Sequence, residues 1–152
     1  MITAHRRAVL ALGTVAFITG CGIFGTFEAE ERDDPAEIVF YYDTTDLHVA
    51  DTVNAGSEFT VRVDTYTGSC TTGLARTDLA VVGRVAEIRP YNRTKTVAGG
   101  RCTTDVETLP HNAKIRVDTP GPLTIRVFGS RRTSSSADAT VPAQITRVIT
   151  VR

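Results

Sequence analysis

Apolar and polar residues alternate one for one through three stretches of this chain, a period that leaves little room for anything but β-structure. In residues 58–67, Phe59, Val61 and Val63 alternate with Thr60, Arg62 and Asp64. In 112–118, Ala113, Ile115 and Val117 alternate with Lys114 and Arg116, and in 123–128, Leu123, Ile125 and Val127 alternate with Thr124 and Arg126. A strand turns successive side chains to opposite faces, whereas a helix groups them at every third or fourth position. Each stretch therefore predicts a half-buried strand with one wet face. Further strand candidates are 38–42, 47–50, 79–82, 84–89 and 143–151.

Turn chemistry separates these segments: Asn54-Ala55-Gly56, Gly68-Ser69, Gly99-Gly100 and Pro120-Gly121-Pro122. Residues 119–122 are short enough to make their two flanking strands a hairpin. No segment beyond residue 20 shows convincing helical spacing. About seven or eight short strands with frequent turns point to an all-β domain over 37–152, an antiparallel sandwich of immunoglobulin-like type. A closed barrel is the alternative. A domain of that length buries a real core.

The first twenty residues have a different character. Arg6 and Arg7 give a positive start, residues 8–18 are uncharged and mostly apolar, and small or polar Thr19 and Gly20 precede Cys21. The apolar run falls short of the roughly 20 residues a membrane span requires. Ile18-Thr19-Gly20-Cys21 resembles the lipobox of bacterial lipoprotein precursors. The resemblance implies a cleaved signal peptide over 1–20, a Cys21 thiol that receives diacylglycerol, and a chain held on a membrane by its lipid. Gly22 lacks the aspartate associated with inner-membrane retention in the enteric-type pattern. The resemblance thus implies the outer membrane if the source has two. Glu28, Glu30, Glu31, Asp33, Asp34 and Glu37 face only Arg32 before and just after Pro35. Residues 21–36 therefore read as an acidic flexible tether, reaching at most about 50 Å when extended.

The whole chain holds 17 basic and 17 acidic residues, and losing Arg6 and Arg7 leaves 15 against 17, a net charge of −2. With no clustered basic face, nucleic acid is excluded as the expected partner. Once Cys21 is lipidated, Cys70 and Cys102 remain, an even pair in an exported chain, which predicts one disulfide. Metal ligation by Cys70, Cys102, His48 and His111 is the rival, unsupported by any Cys-x-x-Cys or His-x₃-His spacing.

Catalytic signatures are missing or spurious. Gly20-Cys21-Gly22-Ile23-Phe24-Gly25 matches a dinucleotide fingerprint by letter, yet no strand precedes it and the signal is cut within it. Pro110 and Asn112 beside His111 suggest an exposed loop histidine rather than a catalytic base. Asp43, Asp46 and Asp51 lack the spacing of a calcium loop and read as solvated turn acids. Asn92-Arg93-Thr94 has the glycosylation pattern, expected to be idle in a bacterial lipoprotein. No catalytic residue, cofactor or metal is expected. Residues 129–142, with Arg131-Arg132 and Ser134-Ser135-Ser136, read as a long loop between the last two strands. Either that loop is a solvated tip, or Arg131 and Arg132 meet carboxylates or phosphates of an envelope protein or polymer. The function expected is a non-catalytic binding or structural module of the cell envelope. An envelope hydrolase and a subunit of an envelope complex are the alternatives.

Overall fold

The computed structural model describes residues 29–39, 47–67, 70–96, 106–133 and 140–152. They form ten strands and, among the described residues, no helix: β1 (Glu30–Pro35), β2 (Glu37–Val39), β3 (Leu47–His48), β4 (Thr52–Val53), β5 (Glu58–Tyr66), β6 (Thr71–Val82), β7 (Val85–Thr96), β8 (Thr108–Arg116), β9 (Gly121–Arg132) and β10 (Thr140–Val151). The all-β expectation holds, and the strands make one curled half-barrel sheet compatible with a sandwich.

The three alternating stretches lie in β5, β8 and β9, and their apolar sides face inward. Val61, Val63, Ile115, Leu123, Ile125 and Val127 are each at most 1% exposed. Ile38 of β2, Ala86 and Ile88 of β7, and Ile149 and Val151 of β10 complete the centre of the core. Each such aliphatic side chain contributes about 1.5–3 kcal/mol by leaving water.

β5 pairs with β8 and β9 with β10, both antiparallel along their lengths. β6 and β7 form a long ribbon closed by Gly83 and Arg84, with Gly83 at φ 58 as a two-residue hairpin turn with glycine first requires. Three pairings are parallel (β2 with β9, β7 with β9, β4 with β10), so the sheet is mixed rather than purely antiparallel. For β7 and β9 the cause is the path between them. That path passes through β8, which pairs with β5 instead of either, and brings the chain back in its original direction.

Residues 119–122 accordingly do not close a hairpin. They carry the chain from β8, on one ladder, to β9, on another. Arg84 staples this crossing: its Nε donates to the Pro122 carbonyl at 2.9 Å, its Nη1 reaches the carbonyl and hydroxyl of Thr119, and its own carbonyl accepts from Thr124 N–H at 2.9 Å.

The expected tether also needs correction. From Glu30 to Pro35 it is a strand, paired antiparallel with β7 from Thr96 to Tyr91. Two of its acids are held by neighbouring side chains rather than left to solvent. Asp33 meets Arg76 at 2.8 Å and Arg93 at 3.5 Å, and Asp34 meets Arg32 at 2.9 Å and the Thr94 hydroxyl at 2.6 Å. The expected loop at 129–142 shrinks as well, because β9 and β10 remain paired out to Arg132 and Thr140.

Candidate functional site

β7 and β9 run side by side only from Val85–Thr124 to Ile88–Val127 and then part. Pro90 marks the fork, since it has no N–H to offer a neighbouring strand. The opening is filled by β1 and β2, which meet at a corner. β1 takes the edge of β7, and β2 takes the end of β9. Ala36 sits at that corner, its N–H donating to the Pro90 carbonyl at 3.0 Å and its carbonyl accepting from Ser130 N–H at 2.9 Å.

A groove of about 850 Å³ lies over the fork, with Arg32 and Asp34 of β1, Arg89 and Tyr91 of β7, Phe128 and Ser130 of β9, and Pro142 of β10 in its lining. Two cation–ring stacks adjoin it: Arg89 and Phe128 both line the groove, while Arg76 stands outside the lining and covers Tyr91, which lines it. The Arg89 guanidinium lies 4.7 Å from the Phe128 ring centre, and that of Arg76 lies 3.8 Å from Tyr91. Each guanidinium is also fixed by carboxylates, Arg89 by Glu87 at 2.9 Å and Arg76 by Asp33 and by Asp78 at 3.3 Å. The result is a half-exposed surface of planar groups with their orientations set, suited to stacking against flat or ring-shaped ligands and to hydrogen bonding with oxygen acceptors.

Arg132 departs from the expectation for it. Its side chain is buried and its Nη2 donates to Glu37 Oε2 at 2.9 Å, while Arg131 beside it is exposed. Burial holds the Glu37 carboxyl above its usual pKa, outweighing the attraction of Arg132. Arg132 is thus a core group that ties β9 to β2, and a solvent ligand cannot use it in that position. Ser134, Ser135 and Ser136 lie outside the described residues, as do Cys21, Cys102, Asp43 and Asp46. Cys70 stands just before β6 with φ 69 and lines the groove. Asp51 pairs with Arg147 at 2.6 Å.

His111 is the larger surprise, since it is a strand residue 3% exposed rather than a loop residue. Its Nε2 donates to Asn92 Oδ1 at 2.9 Å and its Nδ1 accepts from the Thr77 hydroxyl at 2.8 Å. Asn92 Nδ2 in turn reaches the Thr65 hydroxyl at 3.3 Å, and that hydroxyl donates to the Leu109 carbonyl at 3.1 Å. Burial lowers the His111 pKa, which favours the neutral ring, and a neutral ring can make both bonds with Nε2 protonated. Hydroxyl, imidazole and amide in a row have the connectivity of a nucleophile, its base and an orienting group. Neither Thr77 nor His111 lines the groove, however; Asn92 does, yet it and His111 are each only 3% exposed. The row ties β5, β6, β7 and β8 together across the interior. Asn92 is thereby also closed to a glycosylating enzyme. His48 is far more exposed and is bound at 3.2 Å to Asp64, which Arg62 also holds at 2.7 Å.

Among the described residues no group of three or more His, Cys, Asp or Glu is placed to hold a metal ion. Comparison with protein families, with curated proteins and with solved structures finds no match to this chain.

Proposed function

We propose that this chain is a lipid-anchored cell-envelope lipoprotein whose β-domain is a non-catalytic binding or structural module. On this reading the signal is cut before Cys21, the lipid on Cys21 holds the protein in the membrane (the outer one where there are two), and a protein or polymer of the envelope docks in the groove over the fork. The observation that carries the reading is the Arg89 guanidinium stacked on Phe128 in the lining of that groove, with Tyr91, covered from outside the lining by Arg76, beside them. An immunoglobulin-like sandwich presenting its surface from a rigid frame belongs to the same proposal, supported by the period-two core of β5, β8 and β9. So does a Cys70–Cys102 bridge, which would contribute roughly 3–4 kcal/mol by closing a loop of that length.

The test is retention on isolated envelope material. Phe128→Ala removes a ring from the groove without touching the core, so binding should fall about tenfold while the melting temperature changes little. Binding equal to that of the unaltered protein would remove the groove from the proposal.

A further inference from the structure

Most open edges of the curled sheet are blunted. β1 ends on Pro35 and carries Glu30, Glu31, Asp33 and Asp34; β8 carries Pro110 and Lys114; β10 carries Pro142; β3 and β4 are two residues long. Prolines, lysines, inward charges and short length are the means by which sheet edges resist adding a strand. β6 has no proline and no lysine over its 12 residues, and among the described strands it pairs only with β7. It also exposes Leu74, Leu79, Val81 and Val82, the last of them 76% accessible.

We propose that β6 is a dimerisation edge on which a second copy of this chain lays its own β6 antiparallel, centred on Thr77. The pattern around Thr77 is what selects a second copy over a foreign strand. Arg76 and Asp78 flank Thr77 on either side. A two-fold axis at Thr77 therefore sets each Arg76 opposite the Asp78 of the other copy. Such a contact is self-complementary, as a closed two-fold interface must be. Both charged side chains are about half exposed, at 48% and 50%, and already 3.3 Å apart within one copy, so pairing closes four charges into a ring. The irregularity between Leu74 and Arg76 ends the straight part of the edge on one side and keeps the contact short. A short contact makes a reversible dimer.

Sedimentation velocity of the full chain in detergent, over a concentration series, tests this. The unaltered protein should pass from monomer to dimer. Arg76→Asp places aspartates opposite each other and Asp78→Arg places arginines opposite each other, so each variant alone should dimerise about tenfold more weakly. An equal mixture of the two should recover dimer, because every facing pair is then of opposite sign. Asp78→Arg leaves the Arg76–Asp33 pair in place, and Val81→Lys adds a blunting charge without touching that pair; each should stay folded by circular dichroism. A monomer at every concentration overturns the proposal. So does a dimer unaffected by both charge variants, or a mixture no better than its parts.

Discussion

A side chain carbon added at Gly129 would stand 2.5 Å from the carbonyl oxygen of Ala36 and 2.7 Å from Ile38 Cγ2. The corner between β1 and β2 closes against β9 only because nothing projects there. Gly129→Ala should therefore displace the corner and destabilise the fold by about 1–3 kcal/mol, the range for overfilling a packed site. Urea denaturation measures it. A variant as stable as the parent would show that the corner gives way freely.

Glu37 and Arg132 make a second prediction. Arg132→Met leaves a buried carboxylate without its cation and should cost about 3–5 kcal/mol, whereas Glu37→Leu together with Arg132→Met should come much closer to the parent. A double-mutant cycle by urea denaturation separates the two. If the double variant is as unstable as the single one, the pair is not the source of the loss.

Acid should loosen the interior through His111. Its pKa in the fold lies below the ordinary 6.5, so the unfolded chain takes up the proton first. The stability that comes from the neutral ring is complete above that ordinary value and drains away as pH falls beneath it, down to the folded pKa. His111→Gln should lose about 1–3 kcal/mol near neutrality through its broken bonds. It should also show a shallower fall in stability on acidification than the parent. An unchanged slope would mean that His111 does not carry the pH dependence.

Two covalent predictions follow the proposed address. Cys21→Ala should abolish labelling by radioactive palmitate and block cleavage by the lipoprotein route; label on the alanine variant would refute the anchor. Unreduced exported protein should yield one peptide pair linking Cys70 to Cys102 by mass spectrometry. Recovery of both as alkylated thiols would refute the bridge.

Much of this was legible in the residues. The alternation in β5, β8 and β9 marked both the strands and their inward sides. His111 was misread from its neighbours Pro110 and Asn112, although the signal was present: the row Ala113, Ile115, Val117, stepped back by two, lands on His111. Asn92 follows Ala86, Ile88 and Pro90 in the same manner. Arg132 could not be found this way. Its parity opposes that of Leu123, Ile125 and Val127, so it lies on the other face of β9, and there Glu37 of β2 meets it. That meeting is a tertiary event with no local mark. β1 was hidden for a related reason. An outer strand with little burial has no need of apolar residues, so its charges imitate a solvated linker, and only Asp33 and Asp34 meeting arginines reveals the difference.

Because β1 belongs to the sheet, the leash from a lipid on Cys21 ends at Glu30 rather than near Ala36. Fully drawn out, those residues span about 30 Å, against about 50 Å for the longer stretch. Glu30 pairs with Thr96, so the domain would hang from the end of the β1–β7 ladder, with that end toward the bilayer. If the proposed anchor holds, a domain tied so closely would survey a thin shell beside its membrane, and any occupant of its groove would have to come within that shell.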